Sequence, residues 1–216
     1  MRVLLAGGTG LIGNEVIELA DNASVELVGI GRRATGKLTE EIITALKDIP
    51  PLPAADAAIC TLGTTLRSAG SRAAFRAVDY EAVMAFARAA KAAGAAHFIA
   101  VTAVGANPGS SVFYSRVKGE AERDLSALGF TRLDIVRPGL LLGNRSERRP
   151  IESFLQAVAP VTDSLMLGPW RRYRSVSAGG VARYLLALTA YSAPGVFTHH
   201  FEEITTGRAG NRAGVT

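Results

Sequence analysis

Short apolar runs alternate with longer amphipathic stretches along most of the chain. The apolar runs predict strands at residues 3–6, 25–30, 42–46, 57–62, 97–101 and 133–136. The amphipathic stretches predict helices that begin near residue 11 and span residues 80–93, 112–128 and 181–189. Because strands that alternate with helices form parallel sheets covered on both faces, we predict the α/β class with a doubly wound parallel sheet.

Polar and turn-forming residues mark the ends of these predicted elements. Asp79 can cap the start of the second predicted helix and Gly94 follows its end, while Ser110 or Ser111 can cap the third. The prolines at residues 50–53 leave little room for a crossover helix between the third and fourth strands. This part of the sheet is therefore expected to be abbreviated.

A glycine-rich turn directly follows the first predicted strand. Gly7 and Gly10 can take positive φ and let backbone approach a phosphate, while Gly13 lets the helix pack closely on the strand. The N–H groups and dipole at the helix start then face an anion. A glycine triplet alone can mark only a tight turn, but here it opens a βαβ unit of about 30 residues. The sequence therefore predicts a dinucleotide site that includes Gly7, Thr9, Gly10, Leu11, Ile12 and Gly13.

The end of the second predicted strand bears on the choice of cofactor. An NAD site places an acidic residue there to accept hydrogen bonds from the ribose 2′-hydroxyl, whereas this strand ends in Gly31-Arg32-Arg33 and the nearby Glu26 lies within it. Arg32 can fork onto a 2′-phosphate and Arg33 can add a second charge. The alternative is a pair of arginines on a solvated loop. We predict NADP(H) as the cofactor in preference to NAD(H).

Tyr114 and Lys118 form the second candidate motif. They are four residues apart in the third predicted helix, so they share one face. A nearby ammonium lowers the pKa of a phenol from about 10 towards neutrality, which a tyrosine acid or base requires. The same ammonium can hold a nicotinamide ribose. Such a pair is common on protein surfaces, and its place after the fifth strand of a dinucleotide-binding sheet is what favours a catalytic role.

Residues 7–13, Tyr114 with Lys118, and Arg137-Pro138-Gly139 together resemble the short-chain dehydrogenase/reductase superfamily. Residues 60–65, 114–120 and 137–150 resemble its atypical branch of Tat-interacting oxidoreductase-like proteins, and the resemblance spans most of residues 1–155. It implies a Rossmann fold, an NADP(H) site at the glycine turn, and a reactive group made of a serine or threonine, a tyrosine and a lysine. It further implies Tyr114 as the proton donor or acceptor, Lys118 as its electrostatic partner, and cofactor contacts from Leu62, Gly63, Tyr114, Lys118 and Pro138.

The third member of that reactive group is where the chain departs from the superfamily. The end of the fifth predicted strand reads Val101-Thr102-Ala103-Val104, so Thr102 keeps a hydroxyl where Ala103 has none. Thr102 is the candidate that polarises a substrate carbonyl. A β-branched residue chosen for packing is the alternative reading, in which case Ser110, Ser111 or water takes over.

Composition sets the outer limits of these predictions. A chain of 216 residues, 48% of them hydrophobic, is long enough for one well-filled core, and we predict a single domain in which residues 140–216 cover the substrate. Cys60, the single cysteine, excludes an internal disulfide and is expected to be buried. We expect no membrane span or signal peptide, and a cytoplasmic location.

The positive charge is concentrated in the last third of the chain. Residues 131–216 contain 11 arginines, no lysine and 6 acidic residues. The groups are Arg145, Arg148 and Arg149, and, after Trp170, Arg171, Arg172 and Arg174. They can clamp an anionic substrate or bind an acidic protein, or form only a solvated basic face. Nucleic-acid binding ranks below these, and His199 and His200 lack zinc-ligand spacing, so we predict no metal.

Two functions from different classes follow from these residues. The first is an NADPH-dependent oxidoreductase in which a hydride passes between nicotinamide and a substrate carbonyl while Tyr114 moves the proton. The second is a non-catalytic NADP(H) sensor that shows its arginine-rich surface to a protein partner. Ala103 is the feature that sustains the second hypothesis. The oligomeric state is left open.

Overall fold

An eight-stranded sheet forms the centre of the computed structural model, which describes residues 1–142, 168–208 and 211–212. Its strands are β1 (Arg2–Ala6), β2 (Glu26–Gly31), β3 (Glu40–Ile43), β4 (Ala57–Cys60), β5 (His97–Val101), β6 (Arg132–Val136), β9 (Gly195–His199) and β10 (Asn211–Arg212). Two short strands, β7 (Leu141–Leu142) and β8 (Val176–Ser177), pair with each other.

The order of strands across the sheet is β10-β9-β6-β5-β4-β1-β2-β3. The neighbouring strands from β9 to β3 run parallel, and β10 is antiparallel to β9. From β1 the chain builds outwards to β3, then returns to place β4 on the other side of β1. The order therefore reverses between β1 and β4, and this is the point where open α/β sheets bind ligands. The predicted doubly wound parallel sheet is confirmed.

Helices cover both faces of this sheet. They are α1 (Leu11–Ala20), α2 (Leu66–Ala69), α3 (Arg72–Arg76), α4 (Val83–Ala92), α5 (Phe113–Ala127), α6 (Ala178–Leu188) and α7 (Phe201–Thr206). Alternate residues of β1 divide the core between the faces: Val3 and Leu5 pack with α1 and α6, whereas Leu4 and Ala6 pack with α4 and the end of α5. Because both faces are covered, the central strands are apolar throughout.

The helix predicted at residues 80–93 begins earlier than its sequence pattern indicates. Ser71 caps α3 by accepting a hydrogen bond from the backbone N–H of Ala74 at 3.0 Å, and a π-helical segment, Ala77–Ala82, joins α3 to α4. Asp79 lies inside this segment and is buried, so the prediction that it caps the helix is wrong. A π-helical turn inserts an extra residue, which breaks the 3.6-residue period that the prediction used.

Two other predicted boundaries also differ from the structure. The third strand spans Glu40–Ile43 rather than residues 42–46, and Leu46 has a φ of 65° that a strand does not accommodate. Val112 occupies the N-cap position of α5 without a side-chain cap, although the Ser110 hydroxyl accepts a hydrogen bond from the Val112 N–H. As the prolines predicted, residues 44–56 connect β3 to β4 without a helix.

A buried charge cluster joins the last third of the chain to the sheet. The Asp134 carboxylate on β6 accepts hydrogen bonds from Nε2 of His97 at 2.5 Å, from Nε2 of His199 at 2.6 Å and from the Arg132 guanidinium at 2.6 and 2.8 Å. Burial acts to raise the pKa of Asp134, but these hydrogen bonds outweigh it and hold the pKa well below its ordinary value. Tyr184 of α6 continues the network through Nδ1 of His199.

Replacing Asp134 with asparagine should lower the free energy of unfolding by about 3–5 kcal/mol, because Arg132 and two histidines would lose their buried anion. Urea denaturation at neutral pH measures this loss. Asp48→Asn is the matched control, since the Asp48 side chain is 83% exposed and such changes stay within about 0.5 kcal/mol. The lowered pKa means that the contribution of Asp134 is full above the unfolded-state pKa of about 4 and declines as pH falls further. The difference between the wild-type chain and Asp134→Asn should therefore narrow below about pH 4.

Candidate functional site

The glycine turn lies at the switch point of the sheet, pressed against the residue that follows β4. Gly7 has a φ of 94°, and a Cβ atom there would lie 2.5 Å from Oγ1 of Thr61. Gly13, in the first turn of α1, would place a Cβ atom 2.2 Å from the carbonyl oxygen of Gly7. No side chain fits at either position without moving the backbone. The close packing predicted for Gly13 is confirmed.

Gly10 plays a different part from the one expected. Its φ is −83° and its ψ is 169°, an extended conformation that any residue can adopt, so the predicted positive φ is wrong at this position. Gly10 is the N-cap residue of α1, and its N–H donates to the carbonyl of Gly7 at 2.9 Å. Its Cβ atom would lie 3.2 Å from that same carbonyl, so the tight turn rather than φ favours glycine.

A cleft runs from the glycine turn to the end of β2. The cleft and the open solvent at its mouth together occupy about 510 Å³. It is lined by Gly7, Gly8 and Thr9 from the turn, by Arg32 and Arg33 after β2, by Glu41 of β3 and by Leu62 after β4, among others. Arg32 and Arg33 are exposed. The structure thus brings two cationic side chains to one end of a cleft whose other end is a helix N-terminus, where anions are favoured.

A buried ion pair lies on the other side of the glycine turn, beside the loop that follows β4. Nζ of Lys118 on α5 lies 2.8 Å from Oδ1 of Asp79, and both side chains are almost fully buried. The second carboxylate oxygen of Asp79 accepts a hydrogen bond from the backbone N–H of Thr64 at 2.9 Å. Burial acts to lower the pKa of Lys118, but the facing carboxylate outweighs it and raises the pKa above its ordinary value.

Gly63 lies beside this ion pair. A Cβ atom on Gly63 would lie 3.4 Å from Nζ of Lys118 and 3.5 Å from Oδ1 of Asp79. The sequence pointed to Leu62 and Gly63 as cofactor contacts, and the structure places Leu62 on the cleft and Gly63 against the ion pair. This short loop therefore connects the two halves of the candidate site.

Tyr114 stands one helical turn before Lys118 and is half-buried. Its ring packs against Phe75 of α3 with 5.4 Å between ring centroids, and Phe113 packs against the same ring at 5.8 Å. The phenol is close enough to Lys118 to contribute to the raised pKa of that ammonium. Tyr114, Lys118 and Asp79 therefore form one group at the carboxyl ends of the central strands.

Thr102 does not join this group through its hydroxyl. The hydroxyl donates to Oε1 of Glu122 at 2.5 Å, in a buried position. The Glu122 carboxylate also pairs with the Arg137 guanidinium, whose Nε lies 3.0 Å from the same oxygen. A hydroxyl that polarises a carbonyl has to donate its hydrogen to substrate, whereas Thr102 gives it to Glu122. The structure thus corrects the expectation for Thr102, which serves here as part of a buried polar network.

The segment Gly168–Tyr173 and the residue after it lie close to the carboxyl ends of β5 and β6. A Cβ atom on Gly139 would lie 2.4 Å from the carbonyl oxygen of Arg174, so Gly139 allows close contact with this segment. The neighbouring Pro138 carbonyl accepts a hydrogen bond from Val104 at 3.1 Å. The Tyr173 hydroxyl lies 4.0 Å from the Cβ position of Gly105.

Positive charge gathers at this edge of the sheet. Burial lowers the pKa of His200, and the nearby guanidinium groups of Arg137 and Arg172 lower it further. Arg171 pairs with Glu202 at 3.2 Å. Arg174 lies over the ring of Phe201. The other predicted group, Arg145, Arg148 and Arg149, lies outside the described residues.

Three acidic residues of the site escaped sequence reasoning. The sequence predicted Asp79 as a helix cap. Its position 39 residues before Lys118 gave no indication that the two side chains form an ion pair. Glu41 and Glu122 belong to an ordinary strand and helix pattern. Asp79 and Glu122 contact residues that lie between 15 and 39 positions away, whereas Glu41 contacts a turn five and six positions before it. A periodic pattern encodes neither kind of contact.

The sheet order and the glycine turn at the switch point define a doubly wound α/β fold of the Rossmann type. The chain belongs to the HIM1 family, whose model matches residues 29–167. HTATIP2 and Fmp52 proteins are among its relatives, and the predicted resemblance to the branch of Tat-interacting oxidoreductase-like proteins is confirmed.

Two relatives illustrate this membership. The chain is 34% identical over 184 residues to "Protein fmp52, mitochondrial" of Aspergillus fumigatus, with 77% of this chain and 78% of the relative covered. It is 36% identical over 162 residues to "Protein HTATIP2" of Rattus norvegicus, with 69% and 66% covered.

Solved structures with this fold are more distant in sequence. Human epimerase family protein SDR39U1 with NADPH superposes with a TM-score of 0.68 at 21% identity, covering 93% of this chain and 74% of that one. MoeE5 in complex with UDP-glucose and NAD superposes with a TM-score of 0.69 at 16% identity, covering 95% and 80%. These likenesses establish the fold.

The comparisons overturn one expectation from the sequence. The predicted cytoplasmic location is wrong, because the fungal relatives that match the chain are named mitochondrial proteins. A single cysteine excludes an internal disulfide, but it does not distinguish one reducing compartment from another. Among the described residues, no helix has the length and apolar character that crossing a membrane requires.

The Asp79–Lys118 pair can be tested by a double-mutant cycle. Asp79→Leu should cost about 3–5 kcal/mol in the free energy of unfolding, because it leaves an ammonium buried without its anion. Adding Lys118→Met should recover part of that loss, since two apolar side chains then replace the pair. Urea denaturation of the four chains gives the coupling. The same cycle on the more exposed Arg76–Glu120 pair should give at most about 1 kcal/mol, and additive losses at Asp79 and Lys118 would contradict the assignment.

Proposed function

We propose that this protein is an NADP(H)-dependent oxidoreductase that acts on a carbonyl or hydroxyl substrate. The observation that carries the proposal is the arrangement around the switch point. On one side, Arg32 and Arg33 line a cleft that reaches the glycine turn. On the other, Tyr114 and Lys118 stand beside the loop after β4. A dinucleotide has its phosphates in the middle, its nicotinamide at one end and its adenosine at the other. This arrangement matches the glycine turn in the middle, Tyr114 and Lys118 on one side, and Arg32 and Arg33 on the other.

The residues present fit a bound dinucleotide. Cβ atoms at Gly7 and Gly13 would overlap with Thr61 and with the Gly7 carbonyl, so glycine at both positions lets the turn pack tightly before α1. We assign these glycines to cofactor contact together with Thr9, Gly10, Leu11 and Ile12, because backbone N–H groups at a helix start bind anions. Arg32, with Arg33, is assigned to the 2′-phosphate, which is the feature that separates NADP(H) from NAD(H). Leu62, Gly63 and Pro138 complete the proposed cofactor contacts.

The chemistry assigned to the chain's own residues is proton transfer and charge placement. A bound nicotinamide supplies or accepts the hydride. Tyr114 gives or takes the proton at its phenol oxygen, and Lys118 holds a positive charge next to that oxygen. Asp79 keeps the Lys118 side chain in place through their ion pair. The Arg172 guanidinium near His200 favours an anionic substrate, whereas Arg137 is already paired with Glu122. Residues 140–216 are proposed to cover that substrate within a single domain.

The engagement of Thr102 by Glu122 favours a second candidate function. With that hydrogen donated to Glu122 and Ala103 next to it, carbonyl polarisation falls to Ser110, Ser111 or water. A protein that binds NADP(H) and passes its state to a protein partner, without turnover, agrees with the same geometry. Measurement of turnover distinguishes the two functions.

Cofactor preference is tested by calorimetric titration with NADPH and NADH. The wild-type chain should bind NADPH more tightly, and Arg32→Ala should weaken NADPH binding by about tenfold or more because a charge-assisted contact to the 2′-phosphate is lost. The affinity for NADH should stay unchanged, which controls for a damaged fold. An Arg32→Ala chain that keeps the wild-type preference would reject the assignment of Arg32.

Turnover is tested by following NADPH oxidation against a panel of carbonyl compounds. Tyr114→Phe should lower the rate at least about tenfold while cofactor binding is retained, because the phenol hydroxyl is the proton donor. Equal rates would remove Tyr114 from the mechanism. Tight NADPH binding with no turnover on any compound, in wild-type and variant alike, would favour the sensor.

A further inference from the structure

Glu41 of β3 holds the turn that ends the arginine segment. Its Oε1 accepts hydrogen bonds from the Thr35 N–H at 2.8 Å and from the Thr35 hydroxyl at 2.5 Å, and its Oε2 accepts one from the Gly36 N–H at 3.1 Å. Gly36 has a φ of 69°, so the chain turns sharply there. One carboxylate thus satisfies three donors of a two-residue turn.

The sheet makes room for this carboxylate. Glu41 is paired with Gly29 in the register of β2 and β3, and a Cβ atom on Gly29 would lie 3.3 Å from Oε1 of Glu41. Burial acts to raise the pKa of Glu41, but the hydrogen bonds from Thr35 and Gly36 outweigh it and lower the pKa. The partly exposed side chain is therefore an anion held by oriented donors.

The held turn touches the glycine turn directly. The Thr35 methyl carbon lies 3.0 Å from the position that a Cβ atom on Gly8 would take. Thr35 and Glu41 also line the same cleft as Arg32 and Arg33. The short segment from Arg32 to Gly36 is consequently fixed at its far end against the backbone next to the proposed phosphate site.

We propose that Glu41 is a positioning residue that sets cofactor preference. By fixing Thr35 and Gly36, Glu41 holds the preceding arginine segment against the glycine turn, in the place where a 2′-phosphate is received. This inference rests on the proposed NADP(H) binding. A carboxylate in the same cleft could instead act by its charge and repel the 2′-phosphate. The two effects have opposite signs when the charge is removed, which makes them separable.

Glu41→Gln tests the inference, because glutamine keeps the size but turns an amide N–H₂ towards one of the backbone donors. Calorimetry should show NADPH binding weakened by about tenfold or more and NADH binding changed by no more than about twofold. In hydrogen exchange, the Thr35 and Gly36 amides should exchange at least about tenfold faster. Tighter NADPH binding would show charge repulsion and overturn the proposal, and so would an equal loss of both cofactors or an unchanged preference.

Two further chains complete the experiment. Glu40→Gln is the matched control, since Glu40 is the preceding residue of β3 and pairs with Arg2 rather than with the turn; both affinities should remain those of the wild type. Arg32→Ala separates the role of Glu41 from the proposed role of Arg32 in cofactor preference. A preference lost in Arg32→Ala but kept in Glu41→Gln overturns the role of Glu41 alone. Equal affinity of the wild-type chain for NADPH and NADH overturns the proposed preference, and this inference with it.

Discussion

The close approach of three backbone segments at the switch point is the constraint on which the rest of the site depends. Gly7, Gly13 and Thr61 lie so near each other that a Cβ atom on either glycine would overlap with neighbouring atoms. This contact draws the start of α1 to the end of β1 and fixes the loop after β4 beside it. Everything that the site requires on either side is then built outwards from a rigid centre.

Charge is arranged differently on the two sides of that centre. Arg32 and Arg33 are exposed beside an open cleft, whereas Lys118 is buried and faced by Asp79. The buried ammonium keeps its charge because a carboxylate accompanies it, and that carboxylate is itself held by the Thr64 N–H. Exposed arginines suit a ligand that arrives with its own charge. A lysine with a permanent partner suits a fixed position in the protein.

The sequence predicted the elements of the fold well and their side-chain contacts poorly. Apolar runs identified the central strands because a buried parallel strand is apolar on both faces. The glycine turn could be recognised because its residues are consecutive in the sequence. Asp79 and Glu122 were missed because they meet their partners only after the chain has folded back, and the π-helical segment around Asp79 also shifted the helical period. Glu41 was missed because strand periodicity does not show that its side chain reaches a turn five and six residues earlier. Thr102 was read as a catalytic hydroxyl because its partner Glu122, 20 residues later, could not be inferred.

The cluster around Asp134 has a consequence for how the chain matures. His97 and Arg132 precede Asp134 in the chain and are synthesised before it, whereas His199 follows Asp134 by 65 residues. During synthesis, the carboxylate therefore receives its last donor only after β9 has been made. A nascent chain that stops before β9 contains the glycine turn but lacks His199, which donates a hydrogen bond to the buried Asp134 carboxylate. Pairing of β9 with β6 therefore brings in the donor to Asp134 that is most distant in sequence.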